Sequence, residues 1–234
     1  MSDIIKIDHI YQYNDLMGVE TLNPLVTVVD FSKRPVETSV DKMYNMNLYV
    51  VFLKDMNCGD MVYGRQHYDY QEGTMVFLSP NQLYGIKGSG KQYQPKGYGL
   101  LFHPDLIKGT SLGKNISQYS FFSYKVNEAL HISKTERETI LECLNNIQHE
   151  IANTIDKHSK TLICNNIELL LNYALRYYDR QFITRENVNV DILSRFEEIT
   201  YTDSMLYIPK QPTLQEGEPN MFIEADDYIL SVGY

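Results

Sequence analysis

The sequence predicts a β-then-α chain: a small antiparallel β-barrel of jelly-roll type, an antiparallel pair of long helices, and a linker helix. Three observations predict it. Between Leu22 and His103 lie roughly seven or eight short runs rich in β-branched and aromatic residues, with turn signals about every 8–12 residues, the spacing of a barrel or sandwich. Beyond Ser133 the apolar period changes from two to about 3.6. Near Thr200 that helical period is lost in a segment broken by Pro209, Pro212 and Pro219.

Residues 1–20 are polar and mixed, and form an N-terminal arm to which no element is assigned. The barrel, 21–110, opens with Leu22–Phe31, rich in β-branched residues. Ser32–Thr38 turns around Pro35. Asn47–Leu53 follows, apolar enough to be buried on both faces or to line a barrel. Met61–Tyr63 and Gln66–Tyr70 are short strands after an Asn57–Asp60 turn. Thr74–Leu78 is closed by Ser79-Pro80-Asn81, and Leu83–Lys87 by the Gly-Ser-Gly at 88–90. The run Gly97–His103 stops at Pro104, which has no N–H for a ladder.

The helical region, 111–182, begins its first long helix at Ser133, three residues before Glu136, the spacing of a capping box. Ile140, Leu144, Ile147, Ile151 and Ile155 fall at spacings of four and three, and Ile163, Ile167, Leu170, Ala174 and Tyr178 continue the pattern. Each is a narrow apolar stripe of the a/d kind. The short connection Asp156–Ser159 makes the helices antiparallel neighbours. The first, taken as about 22 residues, is about 33 Å long. Spacing leaves open whether the rest of each stripe packs on the barrel or on a second copy. A third pattern, with Val190, Leu193 and Phe196, gives a linker helix at 183–199. The tail, 200–234, holds six acidic residues against one lysine and is expected to be disordered or weakly tethered.

The 234 residues carry a net charge of −9, and no cluster of five or more Lys and Arg occurs, a poor match for a polyanion. Cys58, Cys143 and Cys164 fit no disulfide or zinc framework and are expected as buried thiols in a cytoplasmic protein. No apolar run reaches membrane-span length, and the first residues lack the pattern of a signal peptide.

His67, Asp69 and Glu72 are the nearest approach to a metal cluster, and His67 and Asp69 share a strand face by alternation. With His103 as the sole later histidine near a strand, the set falls short of the ligands a divalent metal needs, so no metal and no cofactor are expected. His103 reads as structural, without a serine or cysteine nucleophile motif beside it. Gly85–Gly90 lacks the GK[ST] ending of a phosphate loop and reads as a hairpin. Nineteen tyrosines and no tryptophan are unusual. Tyr49, Tyr68, Tyr70, Tyr84 and Tyr98 lie on the strands. Either they fill the barrel or, with His67, they line a small-molecule cavity. Lys54 and Arg65 could pair with an anionic ligand, but both are expected at the surface.

The wording of the chain adds to this reading. GVETLNPLVTVVDFSK (18–33), MVFLSPNQ (75–82), GYGLLFHPDLI (97–107), YSFFSYKVNEALHIS (119–133) and NYALRYYDRQFITRENVNVDILSRFEE (172–198) resemble the AraC-type transcriptional regulators, in a Bacteroides-like subgroup. The resemblance spans about residues 15–198. It implies a cupin-like barrel that binds a small-molecule effector without a metal, and a helical pair that dimerises. The dimerisation residues it suggests are Ile140, Leu144, Ile147, Ile151, Ile163, Ile167, Leu170 and Ala174. Family members continue past the SRFEE segment into two helix-turn-helix units, whereas residues 200–234 carry no recognition-helix pattern and no basic face. The expectation is a truncated, sensor-only regulator. It would not bind DNA directly and would act as a homodimer or paired with a full-length relative. It is not expected to be an enzyme. The alternative is a metal-dependent cupin enzyme using His67, Asp69, Glu72 and His103.

Overall fold

The computed structural model describes residues 4–55, 60–63, 66–67, 73–122 and 129–181, with backbone only for 60–63 and 66–67. All lie within one unit, Met1–Glu186. The linker helix expected at 183–199, the tail at 200–234, Cys58, Arg65, Tyr68, Tyr70, Asp69 and Glu72 fall outside the described residues.

The chain runs β1 (Ile4–Ile7), α1 (Ile10–Met17), β2 (Val26–Asp30), β3 (Glu37–Thr38), β4 (Lys42–Met46), β5 (Tyr49–Lys54), β6 (Asp60–Tyr63), β7 (Gln66–His67), β8 (Thr74–Leu78), β9 (Gln82–Lys87), β10 (Gln92–Tyr93) and β11 (Gly97–Phe102). It continues through α2 (Pro104–Ile107), α3 (Ser111–Asn115), β12 (Leu130–His131) and α4 (Lys134–Ala152) to a second long helix, α5, at 159–181. One five-stranded sheet has the order β12-β8-β5-β11-β2, all antiparallel. The second has the order β1-β4-β9-β6-β7, in which only β1 and β4 run parallel. β3 and β10 form a separate antiparallel ribbon. Among the described residues no strand pair joins the two five-stranded sheets, so the closed barrel expected from the sequence is not found.

The physical reason lies in β5. Its residues alternate between two cores. Val50 and Phe52 join Val29, Val76, Leu78 and Leu101 on one face, against Tyr44, Met46 and Tyr84 of the second sheet. Val51 and Leu53 join Met75, Phe77, Leu100 and Phe102 on the other face, against the helices. A strand buried on both sides reads as an unbroken apolar run, which is why Asn47–Leu53 shows no alternation. The second sheet covers one face of the first and the helices cover the other.

The capping box at Ser133 forms as expected: the Glu136 N–H donates to Ser133 Oγ, and the Ser133 N–H donates to Glu136 Oε2 at 2.8 Å. α4 stops at Ala152, short of Ile155, which lies 65% exposed in the connection. There Asp156 Oδ1 accepts the N–H groups of His158 (2.7 Å) and Ser159 (2.9 Å) and so starts α5. Those bonds hold the Asp156 carboxyl below its ordinary range. Cys143 and Cys164 are buried, and burial raises both thiol pKa values. Residues 4–17, to which the sequence assigns no element, form β1 and α1, and Ile7, Ile10 and Tyr13 enter the inter-sheet core. No described helix is long and apolar enough to cross a membrane.

Gly97 carries a requirement of its own. Its φ is +113°, and a Cβ there would meet Leu53 O at 2.1 Å. Only glycine lets β11 lie this close to the end of β5, beside Lys54.

Candidate functional site

Strand parity builds a cavity of ≈ 130 Å³ between the sheets. On β4, Tyr44 and Met46 face the inter-sheet core, so Lys42 faces the same way. On β9, Tyr84 faces inward and Ile86, opposite Lys42 in register, follows it. On β5, Phe52 faces inward, and Lys54 extends the same face. All six line the cavity with Met46, joined by Tyr13 of α1, by Glu37 and Tyr93 of the β3–β10 ribbon, and by Arg34 and Lys96 from the connecting segments.

The walls are aromatic. Tyr44 and Tyr84, opposite each other in the β4–β9 ladder, stack with centroids 5.2 Å apart. Phe52 meets Tyr84 edge-on at 6.4 Å, and Phe31 tilts against Phe52 at 5.9 Å. Such rings bury large areas at fixed geometry. At one side Arg34 Nε donates to Glu37 Oε1 at 2.5 Å, and the Arg34 guanidinium also reaches the Leu16 carbonyl at the end of α1. Lys54 is only 9% exposed, contrary to the surface placement expected from the sequence. The physical reason is its parity with Phe52, which turns it toward the inter-sheet core.

Burial pushes the Tyr44 hydroxyl up to about 12, with Glu37 adding to the rise and Arg34 opposing it. Burial raises Tyr13 further still. Both therefore present neutral O–H donors at neutral pH. The sign follows: their contribution to stability is complete below pH 10, the ordinary tyrosine value, and the share from Tyr44 is lost as pH rises through about 12. Stability measured by denaturant titration should fall with rising pH in that window, and Tyr44→Phe should make the fall shallower.

Of the candidates named from sequence, Tyr84 lines the cavity. Tyr49 and Tyr98 do not. They lie on the opposite face of the first sheet, where Tyr49 stacks on Phe102 at 5.0 Å and meets Phe122 edge-on at 5.1 Å. Tyr98, opposite Leu53, packs against the helix-side core. An odd or even number of residues along β5 and β11 decides which core a tyrosine enters. His67 pairs with Val62 in the β6–β7 ladder, and its side chain is outside the description. His103 caps α2, its Nδ1 accepting the Asp105 N–H at 3.2 Å, as its structural reading expects. Gly85–Gly90 is strand end and turn: the Gly90 N–H donates to Ser39 O at 2.9 Å. Among the described residues no group of three or more His, Cys, Asp or Glu is placed to hold a metal ion.

The eight stripe residues suggested for dimerisation are brought together, but inside the chain. Ile140, Leu144, Ile147 and Ile151 of α4, and Ile163, Ile167, Leu170 and Ala174 of α5, all belong to the core beneath the first sheet. A second copy would therefore meet other residues. Sequence reasoning missed Tyr13, Tyr44, Tyr93 and Lys42. The signal for two of them was present in Lys42-x-Tyr44-x-Met46, a period-2 run. No protein-family model matches the chain, and no curated protein matches it.

Proposed function

We propose that this chain is the ligand-sensing and dimerising part of an AraC-type transcriptional regulator, with a small-molecule effector held between the sheets of a cupin-like jelly roll. The observation that carries the reading is the cavity itself: aromatic walls, hydroxyl donors and a buried lysine converge between two sheets, the make-up of a small-molecule site. The motifs quoted above, from 18–33 to 172–198, support the family. The chain acts in the cytoplasm and reads no DNA through the residues described. Its net charge of −9 disfavours contact with a polyanion.

Sensing needs a link from cavity to helices, and ionic contacts supply one. Asp55, the residue after Lys54, accepts from Arg137 Nε of α4 at 2.8 Å. Glu136, beside it, pairs with Arg180 near the end of α5 at 2.8 Å. A ligand that shifts the end of β5 therefore acts on both helices.

Dimerisation uses the outer face of α5. Leu162 and Leu169, 44% and 45% exposed and seven residues apart, alternate with the half-buried Asn166 and Tyr173 in an a/d seam. Asn166 stands where a polar residue sets register between paired helices. Sedimentation at micromolar concentration should find a dimer. The double variant Leu162→Glu/Leu169→Glu should sediment as a monomer with unchanged helix content. A dimer that survives both substitutions would exclude this seam.

The test of sensing is thermal stability against a panel of small carboxylates, amides and sugars. A sensor gives a compound that raises Tm by roughly 5–10 °C near saturation. That rise should vanish in Ile86→Trp, which fills the cavity mouth. If no compound distinguishes the wild type from Ile86→Trp, the reading fails.

A further inference from the structure

The inter-sheet space changes character along its length. Deep in the sandwich it is aliphatic, with Val50, Leu78 and Leu101. Its middle is aromatic, with Tyr44, Tyr84 and Phe52. At the end where β4 begins and β5 finishes, it is cationic. Among the described residues four lining side chains are positive, Arg34, Lys42, Lys54 and Lys96, and one, Glu37, is negative. Glu37 is held by Arg34, its Oε1 2.5 Å from a guanidinium nitrogen. The other charged side chains described at this end are Lys42, Lys54 and Lys96. Two of them, Lys42 and Lys54, sit on the inward faces of strands from opposite sheets, so they approach the same space from both sides.

We infer that the effector is a small amphipathic organic anion, a carboxylate whose compact apolar body enters between Tyr44, Tyr84 and Phe52 and whose head meets the lysines at the end of β4 and β5. This rests on the sensor reading above and names the chemical class that the same site takes.

The alternatives fit less well. A metal cation would be repelled by the lysine-rich end. A sugar wants several side-chain acceptors, and the one carboxylate among the described lining residues is engaged by Arg34. Inorganic phosphate would leave the aromatic middle unused. Size sets the body. At ≈ 130 Å³ the cavity is close to the ~150 Å³ space that holds benzene in an engineered protein. One ring or a short branched chain fits, and a long acyl chain does not. The tyrosine hydroxyls, kept protonated by burial, donate to the anion rather than oppose it.

Calorimetry on the full chain at neutral pH should use a matched pair, 3-phenylpropionate and 3-phenylpropionamide, which share shape and differ in charge. The acid is expected to bind at least tenfold more tightly than the amide. Lys54→Gln should bring the acid down to the level of the amide, and Ile86→Trp should abolish both. Should Lys54→Gln fail to fold, Lys42→Gln, at a half-buried position, should weaken the acid several-fold and leave the amide unchanged. Equal binding of acid and amide would overturn the anion assignment and leave a neutral-ligand sensor. If neither binds, while a neutral compound from the wider panel does so and is lost in Ile86→Trp, the assignment again fails and the sensor reading stands. If nothing is lost in Ile86→Trp, both fail.

Discussion

Ile167→Glu should leave the chain without a cooperative unfolding transition. Ile167 is fully buried in α5, in the core formed with α4 and the helix-facing side of the first sheet. The substitution removes about 2–3 kcal/mol of apolar burial. It also leaves a carboxylate with no built partner, a defect of about 3–5 kcal/mol in comparable sites. Against a total stability of about 5–15 kcal/mol, most of the folded population is lost. Thr161→Glu, six residues earlier on the same helix and off the proposed dimer seam, changes an exposed side chain and should move stability by less than about 0.5 kcal/mol. Circular dichroism during heating separates the two. Similar behaviour of both variants would mean that α5 does not present the face described.

The second large effect is expected at Phe102→Ala. Phe102 is fully buried on β11, the strand between β5 and β2, and stacks on Tyr49. Truncation of a core phenylalanine costs about 3–5 kcal/mol, because the cavity closes only in part. In urea this corresponds to a midpoint lower by roughly 1–2 M with little change in slope. Phe102 faces the helices, whereas the inter-sheet cavity lies on the other side of the sheet. The variant should therefore keep its affinity for 3-phenylpropionate at temperatures well below its own transition. A loss of affinity as large as that of Lys54→Gln would show that the two faces of the first sheet are coupled more closely than their separate cores suggest.

How much of this was legible in the sequence depended on whether the controlling contacts were local. The Ser133–Glu136 box is a three-residue pattern and forms as read. So does the Asp156–Ser159 connection, whose bonds span two and three residues. The helical stripes were legible as buried faces, but not what buries them. Spacing fixes a face, and only the tertiary arrangement decides that the first sheet, rather than a second chain, lies against it. β1 was illegible for a similar reason: its parallel partner β4 is about forty residues away, and nothing within Ile4–Ile7 announces that pairing. The site was the hardest part. Tyr49 and Tyr84 are the same residue on similar short strands, yet one enters the helix-side core and the other the inter-sheet cavity. Lys54 looked like a surface residue because lysine usually is one. Its parity with Phe52 was the available clue.

The most direct test is a two-dimensional amide NMR titration of the full chain with 3-phenylpropionate. Shifts concentrated at Lys42–Met46, Phe52–Lys54 and Tyr84–Ile86, absent in Ile86→Trp, are the predicted result. Shifts spread over the outer face of α5 or around Tyr49 and Tyr98, with those three segments unmoved, would contradict a ligand site between the sheets.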